Sequence, residues 1–156
     1  MFSLRRFLAA LRPPSDPYSR SVVALERGEP AAAVAGFTAA LHEASSDETR
    51  VRIYNKRGIA YLKLGRRDDA LRDFTEALAL DGRFAPTITN IGNLLFEDGA
   101  VDDAVEHYEA AIRADESYAF AHLNLGIALR KLGKRAAAVR ELRLAGRLEG
   151  RRFLKR

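Results

Sequence analysis

Between residues 51 and 84 the apolar positions fall on helical faces, and the polar positions fill the sides between them. Ala70, Leu71, Phe74, Ala77 and Leu78 stand at i, i+1, i+4, i+7 and i+8, the spacing that lines one side of a helix. Tyr54, Ile59, Tyr61 and Leu62 occupy a helix-length stretch that ends at Gly65. Gly65-Arg66-Arg67-Asp68 joins the two stretches, and so short a link leaves room only for antiparallel neighbours. The pattern predicts a helical hairpin. Asp68-Asp69, and again Asp102-Asp103, fall in the first turn of a second helix. Carboxylates there meet the positive end of the helix dipole, and that reading is preferred over metal binding.

The hairpin recurs. Segments 51–84, 85–118 and 119–152 align without gaps at 34 residues each. Gly58, Gly92 and Gly126 share the eighth column, and Gly65, Gly99 and Gly133 the fifteenth. Ala70, Ala104 and Ala138 share the twentieth, and Ala77, Ala111 and Ala145 the twenty-seventh. Between those alanines stands a bulky column, Phe74, Tyr108 and Leu142. Arg57 is the polar exception in the column of Ile91 and Leu125. A fixed period of this length marks stacked units that bury a face only against their neighbours. A glycine inside a helix costs roughly 1 kcal/mol against alanine, so three in phase imply a contact that offsets the cost. The eighth-column glycines are expected to let the first helix of each unit touch the second. The twentieth-column alanines are expected on the facing side, and the bulky column between successive units.

A degenerate unit precedes these three. Gly28, Ala33, Phe37 and Ala40 repeat the spacing of Gly65, Ala70, Phe74 and Ala77, 37 residues upstream, and Ser21 stands in the glycine's place. Pro30 fits the first turn of a second helix, where its missing N–H does no harm.

These columns resemble the tetratricopeptide repeat. Gly58-Ile59-Ala60-Tyr61 and Asn124-Leu125-Gly126-Ile127-Ala128-Leu129 follow its pattern. Ile88 and His122 depart from it where Tyr54 keeps the aromatic, and Gly82, Glu116 and Gly150 replace its late proline. The resemblance covers about residues 15–152. It implies an all-α fold, an α-solenoid of antiparallel helix pairs with three regular units and one degenerate N-terminal unit. The expected organisation is an amphipathic segment 1–14, the degenerate unit 15–50, units 51–84, 85–118 and 119–152, and a basic tail 153–156.

The resemblance also implies a site, a concave groove lined by the first helix of each unit. Carried onto this sequence, the groove positions hold Arg52, Asn55, Lys56 and Lys63, then Thr89, Asn90, Asn93 and Phe96, then Phe120, Asn124, Ile127 and Lys131. Asn90 and Asn124 share a column. Each asparagine side chain offers donors and an acceptor, so a ladder of them is suited to an extended peptide backbone; the plainer alternative is that they solvate or cap the helix face. The clamp by which some relatives grip an acidic chaperone tail is not matched. Only Asn90 stands in a clamp column, while Tyr18, Asn55, Phe120 and Asn124 stand where cations or partners are needed.

Composition narrows the function further. Cysteine is absent, which removes disulfides and thiol chemistry and suits a reducing cytoplasm. His42, His107 and His122 share no ligand spacing, and His122, in the column of Tyr54 and Ile88, reads as a packed residue. No nucleophile-elbow or phosphate-loop pattern occurs. The expectation is therefore a non-enzymatic chain with no cofactor, whose partner is a protein or peptide. Residues 1–12 carry three arginines and no acid around a short apolar stretch, too short for a secretory leader. They are read as docking on the first unit or lying on a membrane surface, and the chain as otherwise cytoplasmic.

Charge supplies the competing readings. Residues 1–50 balance 6 basic against 6 acidic side chains, residues 51–129 carry 9 against 13, and residues 130–156 carry 11 against 2. The basic end is either an anion-binding surface for nucleic acid or acidic lipid, or the polar outer face that a terminal repeat needs; the second is preferred. Phe153 and Leu154 fall where a further helix would begin, and an uncapped apolar end there would favour self-association.

Replacing Gly92 or Ala104 with leucine is expected to overpack the hairpin and cost about 1–3 kcal/mol in denaturant unfolding. Leucine at Arg113, on the expected solvent side, should cost far less.

Overall fold

The structure is a computed structural model that describes residues 16–154. Among the described residues it is all-helical, with eight helices: α1 (Pro17–Glu26), α2 (Pro30–Glu43), α3 (Asp47–Lys63), α4 (Arg67–Leu80), α5 (Ala85–Glu97), α6 (Val101–Ala114), α7 (Ala119–Lys131) and α8 (Arg135–Leu154). The expected segment 1–14 lies outside the described residues. The chain divides into two compact units, one ending at Asp73 and the other beginning at Phe74, so that the boundary falls inside α4.

Local chemistry sets the helix ends. Asp16 caps α1 by accepting from the Ser19 N–H at 2.8 Å, and Pro17 occupies the first helical turn. Pro30 opens α2 in the same way. Ser46 caps α3, accepting from the Thr49 N–H at 3.3 Å. Each hairpin turn is closed by a left-handed glycine: Gly28, Gly65, Gly99 and Gly133 have φ of 78°, 72°, 84° and 77°. At Gly99 the glycine N–H donates to the Phe96 carbonyl at 3.2 Å, and the following Ala100 N–H donates to Leu95 at 2.9 Å. That pair of bonds terminates a helix by satisfying its orphan carbonyls. Only glycine adopts this backbone without strain.

In the first unit α2 packs on both α1 and α3. Leu25, Ala33, Phe37, Ala40, Ile53 and Ala60 form its core, and the Tyr18 ring tilts against Phe37 at a centroid distance of 5.8 Å. The polar exception at Arg57 is resolved here. Its guanidinium makes a two-pronged pair with Asp73, Nε to Oδ2 at 2.8 Å and Nη2 to Oδ1 at 2.7 Å, and Nη1 donates to the Thr38 hydroxyl at 3.0 Å. The Tyr54 and Tyr61 rings lie 5.6 and 5.8 Å from it. The bonds to Asp73 raise the Arg57 pKa above its ordinary value against the opposing effect of burial. A charge half-removed from water is tolerable only with partners of this kind.

In the second unit α6 packs against α5 and α7, α8 packs against α7, and α5 and α7 touch directly. Val101, Ala104, Val105, Tyr108, Leu125, Ala128, Leu129 and Ala138 form one core cluster. A methyl placed on Gly92 would lie 2.7 Å from Cε1 of Tyr108 and 3.2 Å from Cβ of His107. On Gly126 it would lie 2.7 Å from Cγ of Leu142. The close approach inside each pair is therefore present, with a changed partner. Alanine was expected opposite each glycine; a methyl on Gly126 would also meet the Ala138 carbonyl, at 3.2 Å, but both glycines meet the bulky column more closely, and Ala104 lies with Val101, Val105 and Tyr108 in the core. The bulky side chain thus fills space inside its own hairpin as well as against the next.

The degenerate first hairpin makes the same contact with the roles exchanged. Gly36 on α2 faces Ser21 on α1, and a methyl there would lie 2.1 Å from the serine Oγ and 3.3 Å from its Cβ. The small residue has moved to the second helix. At the other end, α8 continues through Gly150 to Leu154, across the unit end expected at 152 and the fresh start expected at Phe153. Glycine, unlike proline, keeps its N–H and lets a helix run on.

Gly36→Ala should lower the unfolding midpoint markedly, by about 1–3 kcal/mol of stability. Combining it with Ser21→Gly, which restores the arrangement of the later hairpins, should recover most of the loss in the same denaturant titration.

Candidate functional site

The expected groove residues of the second unit stand on α5 and α7, the first helices of consecutive hairpins. Asn93 and Asn124 meet across them, the Asn124 Nδ2 donating to Asn93 Oδ1 at 2.8 Å. The Tyr108 hydroxyl, reaching up from α6, donates to the same oxygen at 2.9 Å. Both lone pairs of that carbonyl are then used. These bonds leave the Asn93 NH2 and the Asn124 carbonyl oxygen for a ligand. Beside them lies a recess of about 210 Å³ lined by Asn93, Phe96, Glu97, Tyr108, Asn124 and Ile127. The Lys131 ammonium sits 4.6 Å above the Phe96 ring, within the range of a cation–π contact. The site therefore combines an amide donor and acceptor, an apolar wall, one cation and the Glu97 carboxylate.

The Tyr108 side chain is held in place by more than its bond. The residue is only 2% exposed, and burial, with the Glu97 carboxylate adding, pushes its pKa up to about 12. It consequently stays a donor to Asn93 across the physiological range.

The structure gathers Asn93, Phe96, Asn124, Ile127 and Lys131 of the expected set. Asn90 shares a column with Asn124, but the rung is diagonal: Asn124 bonds Asn93, three residues further along α5. Asn90 is half-buried and engaged elsewhere. Thr89 is buried, which removes it from the side chains a ligand can reach. Phe120 stands apart, 47% exposed and tilted on Tyr118 at 5.8 Å. It lines a different recess of about 500 Å³ with Leu148, Glu149 and Arg151. On α3, in the first unit, Asn55 is buried, Lys56 is half-buried and Lys63 exposed, while Arg52 is exposed and paired with Glu48 at 2.6 Å. Sequence reasoning missed the part played by Tyr108. Its one signal was the hydroxyl that Phe74 and Leu142 lack in the same column.

His122 is 4% exposed. Its Nε2 lies 3.1 Å from the Glu116 carbonyl and its Nδ1 2.8 Å from a Glu141 carboxylate oxygen. Both nitrogens are engaged in packing. Among the described residues no cluster of His, Asp and Glu is arranged to hold a metal ion, and no helix is long and apolar enough to cross a membrane.

Helical hairpins repeated at one period, with first helices that touch and share a polar rung, define an all-helical repeat protein. Residues 51–84 match the family model described as tetratricopeptide repeat, and residues 92–133 match a second model, TPR repeat. Over these two stretches the chain is a tetratricopeptide repeat protein. Solved structures share the fold. MamA is 22% identical, with 87% of this chain and 78% of that one covered and a TM-score of 0.65. YrrB, described as a TPR protein with an unusual peptide-binding site, is 21% identical over 86% of this chain and 68% of its own, with a TM-score of 0.60. The second TPR of Spaghetti (RPAP3), bound to the HSP90 peptide SRMEEVD, is 25% identical over 64% of this chain and 86% of its own, with a TM-score of 0.58.

The Tyr108 pKa gives a test of the rung's support. The folded value lies above the unfolded value of about 10, so the stability it carries is complete below that pH and is lost as pH climbs through about 12. Tyr108→Phe should cost about 1 kcal/mol at neutral pH. It should also flatten the alkaline fall in melting temperature relative to the unchanged chain, followed by circular dichroism.

Proposed function

We propose that this chain is a non-catalytic interaction module that holds an extended peptide segment of another protein across α5 and α7. The observation that carries the reading is the Asn93–Asn124 rung, which Tyr108 fixes and which keeps one amide donor and one acceptor for a peptide backbone. Each such bond is worth about 1 kcal/mol net. That is too little alone, so the apolar wall of Phe96 and Ile127 supports a larger share of the affinity through an apolar side chain of the ligand. Lys131 favours a carboxylate on the peptide beyond that side chain. YrrB, a TPR protein with an unusual peptide-binding site, and the second TPR of RPAP3, bound to a peptide, have the same fold, which supports a peptide as the partner.

The backbone groups are read without regard to ligand sequence, and the Phe96–Ile127 wall selects. Peptides chosen from a random library against the intact chain should therefore share an apolar position, an acidic one beyond it, and little else. Asn93→Ala with Asn124→Ala should weaken the selected peptides about tenfold or more in fluorescence polarisation. Unchanged affinity in that double variant, with the helical spectrum intact, would discard the groove reading.

A further inference from the structure

On the outer rows of α6 and α8 the charge changes sign. α6 exposes Asp102, Glu106 and Glu109, and α8 exposes Arg140, Arg143 and Arg147. The 34-residue period places Glu106 and Arg140 in one column and Glu109 and Arg143 in another, so the two rows occupy equivalent places on their hairpins. None of these six side chains makes an ion pair among the described residues. The helices that carry them pack on α7 and not on each other.

A solvated helix face usually mixes its signs, because opposite charges three or four residues apart attract and like charges repel. Here three like charges stand together on each helix, and Arg113, one turn beyond Glu109, is the one opposite charge in the α6 row. Asp102, Glu106 and Glu109 repel along α6, as do Arg140, Arg143 and Arg147 along α8. An opposite row laid over each would relieve both. A polyanion or an acidic membrane would meet the arginines favourably but the neighbouring carboxylates unfavourably, and of the large apolar residues only Val139, 45% exposed, is available in this row for insertion into lipid. One partner satisfies both rows, and it is the same molecule.

We propose that this face pairs with a second copy of the chain. A two-fold axis running along the helices between α6 and α8 lays α6 of one copy over α8 of the other and preserves height, so that column meets column. Glu106 of each copy then faces Arg140 of the other, and Glu109 faces Arg143, each contact occurring twice as a closed two-fold interface requires. Arg113 faces Arg147 in this arrangement. That like-charged match, together with full exposure to solvent, keeps the association weak and sensitive to salt. The rung on α5 and α7 is not used in the pairing.

Sedimentation equilibrium on the full chain tests this. At about 0.02 M salt, where exposed charges are poorly screened, the weight-average mass should climb with concentration toward twice the monomer value. At about 0.5 M salt it should remain at the monomer value. Glu106→Arg with Glu109→Arg, and separately Arg140→Glu with Arg143→Glu, should each weaken self-association at least tenfold while keeping the helical spectrum, since all four positions are exposed. Mixed in equal amounts, the two variants should associate again, because each now offers what the other lacks. A mass that stays monomeric at low salt overturns the proposal, as does association that survives either reversal, or a mixture that stays apart. Retention on single-stranded nucleic acid or on phosphatidylserine vesicles by a chain that remains monomeric would likewise overturn it, in favour of a polyanion on α8.

Discussion

The structure rests on a side chain that is missing. Where Gly92 has only hydrogen, the Tyr108 ring comes within what would be 2.7 Å of a methyl group, and Gly126 receives Leu142 as closely. A core packed to this density has no slack for an added carbon. The contact draws the two helices of a hairpin together, and the large side chain then has surface left over for the following hairpin. Tyr108 belongs to the same cluster as Leu125 and Leu129 of the next first helix. Close approach within a pair and cohesion between pairs are thus one interaction viewed from two sides. The rung between Asn93 and Asn124 depends on it, since α5 and α7 both pack on α6 and touch each other there.

Periodicity made the fold legible, because repetition converts weak preferences into columns. It revealed the hairpins, the degenerate first unit and the helix starts at proline and aspartate. It was less able to say which residue meets which. Alanine opposite glycine was the simple guess from two small columns; it holds at Gly126, which meets Ala138, but the nearest neighbour is a ring at Gly92 and a leucine at Gly126. Gly36 shows why the degenerate hairpin persists without an eighth-column glycine: the vacancy can sit on either helix, provided the facing residue is small.

The site was half legible for a related reason. A column names residues that occupy equivalent places, whereas contact between successive first helices is diagonal and joins Asn93 to Asn124 from different columns. The wheel of a single helix also cannot tell which polar residue a neighbour will cover, and Asn55 and Thr89 are buried for that reason. Arg57 illustrates the converse. A charge in an apolar column looked like an exception, yet with Asp73 and Thr38 it ties α2, α3 and the start of α4 by directed bonds. Apolar contact alone would not dictate that register.

The four left-handed glycines have one more consequence. Nothing lies within 4 Å of where a side chain would project from Gly28, Gly65, Gly99 or Gly133, so each turn is dictated by backbone conformation alone. Any other residue there would incur roughly 1–2 kcal/mol of strain, while the residue that follows differs at every turn: Glu29, Arg66, Ala100 and Lys134. Such junctions give evolution, or an engineer, a place to vary surface chemistry hairpin by hairpin while the interior stays untouched.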